Sequence, residues 1–142
     1  MSAPPLLLIR HARAGQRSEW QGDDRDRPLD RKGLRQAGWL VGALEGFALE
    51  RILSSTYRRC LETVELLATA RGLTIEGSEA LVEGAAAEAE RLLRELSGTC
   101  AALCTHGDVI QHVVAGRPAR KGSVWVLDGG QLRPLRYLAP PA

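Results

Sequence analysis

The stretch that decides the fold is "LLLIRHARAG", residues 6–15. Leu6, Leu7, Leu8 and Ile9 form a short continuous apolar run, the pattern of a strand buried on both faces. The run leads directly into Arg10 and His11, one side chain that binds anions and one that moves protons, and then into small residues. An Arg-His pair alone carries little weight. A buried strand that ends in one is a candidate edge of a reactive site, and the other segments decide whether it is.

Outward from this strand, strand and helix signals alternate. "GDDRDRPLD" is a charged loop with a proline. Asp30 is placed to cap a helix over "RKGLRQAGWLVGALEGF", where Leu34, Ala37, Leu40, Val41 and Leu44 recur at helical spacing. "ERILSS" predicts a short strand and "TYRRCLETVELLATARG" a helix that ends at Gly72. "LTIEG" is a weaker strand. "AAAEAERLLRELSG" is a helix of strong formers, stopped at Gly98. "CAALCTH" is again a strand, "GDVIQHVVAG" a short helix, and "GSVWVLDGGQLRPLRYL" a hairpin around Asp128-Gly129-Gly130. This alternation predicts an α/β fold, a three-layer sandwich with a mainly parallel central sheet, helices on both faces and an antiparallel edge from the hairpin. In such sheets ligands bind at the carboxyl ends of the strands.

Composition limits the function classes. The 142 residues suit one domain over 1–142, with 44% hydrophobic and 25% charged residues, values ordinary for a globular protein. A net charge of +2 is too small to suggest a nucleic-acid polymer as partner. No apolar run approaches the ~20 residues needed to span a bilayer, so no membrane partner is expected. "MSAPPLLLIR" has no basic segment before its short apolar stretch, so no secretory leader is expected and the expected location is the cytoplasm. The three cysteines, Cys60, Cys100 and Cys104, are expected to be free and buried thiols.

The strand ends carry the chemistry. "LLLIRH" ends in Arg10 and His11, "ALCTHGD" in His106, and "RILSSTYRRCLET" leaves its strand at Ser54-Ser55 to enter a helix bearing Arg58 and Arg59. Two imidazoles and several guanidiniums converging from three segments repel one another unless an anion sits among them. A phosphoryl group is such an anion. Guanidinium forks match its oxygens, a neutral imidazole is a nucleophile for phosphorus, and a second imidazole can donate to a non-bridging oxygen.

These residues resemble the histidine phosphatase superfamily, also called phosphoglycerate-mutase-like. Its first motif appears as Arg10-His11-Ala12, its S-x-x-x-R-x-x-x-T motif as Ser55, Arg59 and Thr63, and its late His-Gly as His106-Gly107, in order and over nearly the whole chain. "RPLDRKGLRQA" and "RKGSVWVL" look most like the phosphatase half of Nudix-linked proteins, and the short length resembles the small phosphohistidine phosphatases. The resemblance implies that His11 is the nucleophile that becomes phosphorylated, and that Arg10, Arg59 and His106 hold the phosphoryl oxygens. Ser55 and Gly107 are implied to border the substrate. Thr63 sets the matched arginine at Arg59, which leaves Arg58 as a helix-surface residue or an outer phosphate contact.

Arg17 stands where relatives carry a polar residue after the first motif, and it is either a phosphate contact or a loop charge. Glu83 in "EALVEGAAAEAE" is the best match for the proton donor, with Glu79 and Glu88 as neighbours. Asp108 is expected to cap the helix that follows it. Trp20, in the charged loop near Arg17, is either a stacking surface for a substrate base or a loop side chain. Trp39 and Trp125 are expected in the core or an interface, and His112 as structural or exposed. Lys121 and Ser123 in "RKGS" either approach the same site or are loop residues.

The expected reaction is phosphoryl transfer through a phosphohistidine on His11, with no metal and no cofactor. The expected partner is a phosphorylated small molecule, a nucleotide or a phosphohistidine protein, since the chain has no room for a long lid. A catalytically quiet phosphate-binding module and a phosphomutase are the competing classes.

Overall fold

Leu6–Arg10 forms strand β1, the fourth of six in a single sheet. The other strands are β2 (Arg51–Ser54), β3 (Ile75–Gly77), β4 (Ala101–Thr105), β5 (Val124–Leu127) and β6 (Pro134–Leu138), in the order β3-β2-β4-β1-β5-β6. The computed structural model describes residues 3–142. Met1 and Ser2, the first residues of the segment read as lacking a leader, lie outside the described residues. β1 pairs in parallel with β4, Leu8 opposite Leu103, and antiparallel with β5, Leu8 opposite Trp125. β2 is parallel to both β3 and β4, so the expected parallel sheet with an antiparallel edge is what forms.

The continuous apolar run has its reason in this position, because β1 is covered on both faces. Leu6 and Leu8 pack with Val109, Ile110 and Val114 of α4 (Gly107–Val113) and its exit, and with Ala89 and Leu93 of α3 (Ala86–Glu95). Leu7 and Ile9 point the other way, into Leu40 and Leu44 beside α1 (Arg31–Ala43) and Val64 and Leu67 of α2 (Arg58–Arg71). Alternate side chains of one strand thus supply two cores. Trp125 and the half-buried Trp39 join these cores, and the three cysteines are buried and free.

Local signals account for the helix limits. The Asp30 carboxylate accepts the Gly33 N–H at 2.8 Å and caps α1, and Gly72, at φ +64°, ends α2. The hairpin joins β5 to β6 through a longer loop than a two-residue turn. Asp128 Oδ1 accepts from Gly130 N, and Leu132 takes a positive φ of 59°. Short 3-10 turns at 17–19, 24–26 and 79–81 interrupt segments read as plain loop.

The topology gathers one end of the sheet into a site. β1, β2 and β4 are parallel, so His11, Ser55 and His106 leave the sheet at the same edge. β5 runs the opposite way, so the residues just before it, 119–123, arrive at that edge as well. Ser123 O accepts the Arg10 N–H at 3.0 Å, and Gly122 N–H reaches the carbonyls of Arg10 and His11, both at 3.1 Å.

Candidate active site

The edge where these segments meet holds a cleft of about 710 Å³. Its wall includes Arg10, His11, Arg17, Arg59, Glu83 and Gly107 from the sequence reading, together with Arg27, Asp108 and Lys121. Five side chains of the wall are permanent cations and two are carboxylates, so the cleft suits an anion.

His11 is almost wholly buried, and its Nδ1 lies 2.8 Å from the Ala12 carbonyl oxygen. A carbonyl can only accept, so Nδ1 carries the hydrogen and Nε2 keeps its lone pair. Burial is the main cause that lowers the His11 pKa to about 3; the Ala12 bond opposes it, and His106, Arg59 and Arg10 add to the lowering. The ring is therefore neutral at physiological pH. His106 lies edge-on to it, with ring centroids 5.4 Å apart.

Arg59 is fully buried at the start of α2. It donates to the Asp24 carbonyl at 2.8 Å, to the Asp24 carboxylate at 3.1 Å and to Glu83 Oε1 at 3.0 Å. Four residues on, the Thr63 hydroxyl accepts the Ala12 N–H at 2.9 Å and donates to the Arg59 carbonyl at 2.6 Å. One hydroxyl thus ties α2 to the backbone beside the His11 ring, which gives the arginine-to-threonine spacing a physical reason.

Arg10 donates to the Ala119 carbonyl at 2.6 Å and lies against Gly107. A Cβ at residue 107 would stand 3.0 Å from the guanidinium carbon, so the glycine lets the guanidinium lie flat on the start of α4. Arg17 reaches Glu83 at 2.8 Å and Asp24 at 3.4 Å. Glu83 Oε1 is also 3.6 Å from His106 Nδ1. Glu83 is therefore at the centre of the constellation, whereas Glu79 binds Thr56 and Arg25 outside it and Glu88 stands exposed on α3. Four buried side-chain polar atoms lack a partner among the described residues, and three of them are Arg10 Nε, Arg59 Nε and His106 Nδ1.

Several residues stand elsewhere than the sequence suggested. Ser55 is wholly buried beneath the cleft and meets His106 Nε2 at 2.9 Å, so it borders the second histidine instead of a ligand. Trp20 is absent from the cleft wall. It stacks on Gly22, bonds the Asp23 carbonyl and lines a neighbouring groove that shares Arg27 with the cleft. Arg58 pairs with Glu62 along the helix surface. Asp108 does not cap α4; its carboxylate accepts the Gly84 N–H at 2.8 Å and holds the loop that carries Glu83. Ser123 stays buried behind the site, whereas Lys121 lines it. His112 is half-exposed beside Glu90.

Sequence reasoning missed Asp24, Arg27 and Tyr57. Asp24 joins Arg17, Arg27 and Arg59. Tyr57 packs edge-on against His106 at 4.7 Å and under Arg59 at 4.9 Å. A tyrosine just before a helix and an acid in a charged loop carry no local signal for such long-range roles.

Known proteins are similar to this chain in sequence or in fold. The chain is 37% identical over 155 aligned residues to the 8-oxo-(d)GTP phosphatase of Mycolicibacterium smegmatis, covering 96% of this chain and 48% of that protein. It thus spans about half the length of that curated relative. Among solved structures, the Agrobacterium tumefaciens protein named SixA superposes with a TM-score of 0.81 at 22% identity, over 96% of this chain and 98% of that one. A protein histidine phosphatase SixA complexed with tungstate gives 0.78 at 20% identity, over 95% and 96%. Bacillus stearothermophilus YhfR gives 0.76 at 23%, over 93% and 95%. At these identities the structures speak for the fold, which is phosphoglycerate-mutase-like. The motif residues Arg10, His11, Ser55, Arg59 and Thr63 all lie within residues 6–95, the span that matches the description Histidine phosphatase superfamily (branch 1), and to that superfamily the chain belongs.

Proposed function

We propose that this protein hydrolyses phosphate monoesters or phosphoramidates through a phosphohistidine formed on His11, without a metal. The observation that carries the reading is the His11 ring: its Nδ1 hydrogen is committed to the Ala12 carbonyl, so a neutral Nε2 stands in a cleft walled by Arg10, Arg17 and Arg59. Nε2 attacks phosphorus in line, and the bond to the leaving oxygen breaks. Water then cleaves the N–P bond and releases orthophosphate. Guanidiniums neutralise the equatorial oxygens, the role a cation plays in other phosphoryl transfers.

His106 supplies a further donor. The Ser55 hydroxyl accepts the Tyr57 N–H at 3.2 Å, which leaves its own hydrogen free for His106 Nε2. With Ser55 as donor to Nε2, the His106 hydrogen resides on Nδ1, on the Glu83 side where the phosphoryl group would lie. Glu83 is placed to hand a proton to a departing oxygen once the incoming phosphoryl group has taken Arg59 from it. The names of two relatives, an 8-oxo-(d)GTP phosphatase and a protein histidine phosphatase, support phosphate release as the outcome.

The test is phosphate release from para-nitrophenyl phosphate in the presence of a chelator, with acid-quenched trapping of phosphoenzyme. Release that continues under chelator and falls by roughly 10³-fold or more in His11→Ala supports the reading. No release by the wild-type protein, with phosphate still bound, moves it to a binding module. An isomeric product in place of free phosphate moves it to a mutase.

A further inference from the structure

The cations of the cleft divide into two groups. Arg17, Arg27 and Arg59 each face a carboxylate, Asp24 or Glu83. Arg10 and Lys121 do not. Among the described residues Lys121 forms no ion pair and no side-chain hydrogen bond, and Asp30 acts on it only through space. Yet its place is built. The Gly122 N–H is held by the carbonyls of Arg10 and His11, which sets residue 121 beside the backbone of the nucleophile.

Lys121 is half-buried, and burial lowers its pKa, as do the guanidiniums of Arg10, Arg27 and Arg13, with Asp30 as the opposing charge. Like charges gathered in a half-buried place cost free energy unless an anion lies among them. A phosphoryl group on His11 would meet Arg59, His106 and Arg10, and Lys121 lines the same cleft beyond that set.

We propose that Lys121, with Arg10, forms a subsite for a second phosphate joined to the one His11 attacks, so that the favoured substrates end in a phosphoanhydride, as nucleoside di- and triphosphates do. This rests on His11 acting as the nucleophile. The His11 Nε2–P bond forms as the bond from that phosphorus to the bridging oxygen breaks. The leaving group is the neighbouring phosphate, and Lys121 neutralises the charge it gains. Water then cleaves the N–P bond, giving orthophosphate and a proton. A lone monoester or a phosphohistidine side chain has no group for Lys121.

The experiment is calorimetric titration with two probes that are not turned over, methylenediphosphonate and orthophosphate. The expected result is at least about tenfold tighter binding of the diphosphonate by the wild-type protein, the size of one charge-assisted hydrogen bond. Lys121→Met is expected to bring the two probes to within about threefold of each other, and Lys121→Arg to restore the preference. Arg133→Met, an equal loss of charge in the loop at the far end of β1, is expected to leave it. Equal binding of the two probes by the wild type overturns the subsite, as does a preference that survives Lys121→Met or falls as far in Arg133→Met. A ratio taken on one folded sample is insensitive to partial misfolding. Because no turnover is needed, a protein that prefers the diphosphonate but releases no phosphate would refute the phosphatase reading and leave the subsite standing.

Discussion

Thr63→Val keeps the side-chain volume and β-branching and removes one hydroxyl. That hydroxyl lies wholly inside the protein, accepting from Ala12 N and donating to the Arg59 carbonyl. The Arg59 carbonyl remains inside α2, so its loss is about 0.5–1 kcal/mol. The Ala12 N–H is left buried with no acceptor, which costs about 1–3 kcal/mol more. The sum, about 1.5–4 kcal/mol, is a large share of the ~5–15 kcal/mol that holds such a domain together. At roughly 3–5 °C per kcal/mol for a chain of this length, melting falls by about 5–20 °C. Urea denaturation of Thr63→Val beside Thr69→Val measures it. Thr69 bonds the Glu65 carbonyl from an exposed position on the same helix, and its loss stays within about 0.5 kcal/mol. If Thr63→Val is no less stable than Thr69→Val, the hydroxyl is not the tie between α2 and the His11 backbone.

Two further outcomes follow from the site. Burial lowers the His11 pKa from 6.5 to about 3, so below pH 6.5 the unfolded chain takes up this proton before the folded one does. Stability present above pH 6.5 is lost on acidification, about 2 kcal/mol of it by pH 5 at ~1.36 kcal/mol per unit; denaturation of His11→Gln between pH 7 and pH 5 should lack that component. Gly107→Ala places a methyl 3.0 Å from the Arg10 guanidinium carbon and should lower kcat/KM for para-nitrophenyl phosphate by roughly tenfold with the melting point changed by only a few degrees, as steady-state kinetics and a thermal scan would show.

The legible part of this molecule is local. The β1 run, the Asp30 cap and the Gly72 stop are written in adjacent residues, and the four-residue step from Arg59 to Thr63 is one helical turn. Glu83 came from the resemblance, as the acid after the third strand, and of the three glutamates named there it is the one that lines the cleft. Asp24 was not, because its partners Arg17, Arg27 and Arg59 come together only when a 3-10 turn folds over α2. Ser55 was assigned to the ligand because it opens the motif that carries Arg59 and Thr63. The serine directly follows the buried end of β2, where its hydroxyl meets the His106 ring and the Tyr57 N–H and has no exposure to the cleft. Trp20 turned away because its indole N–H found the Asp23 carbonyl within its own loop.

The Glu83 carboxylate occupies Arg17 and Arg59 when nothing else does. Any anion that enters must first displace this tethered competitor, which is present at a high fixed local concentration. Orthophosphate pays that displacement with only its own oxygens to offset it, whereas a larger substrate adds contacts elsewhere along the cleft. The tether thus acts as a discount on product affinity. If the chain is the phosphatase proposed above, the tether would keep turnover from stalling in a phosphate-rich solution, at the expense of weaker capture of the smallest substrates.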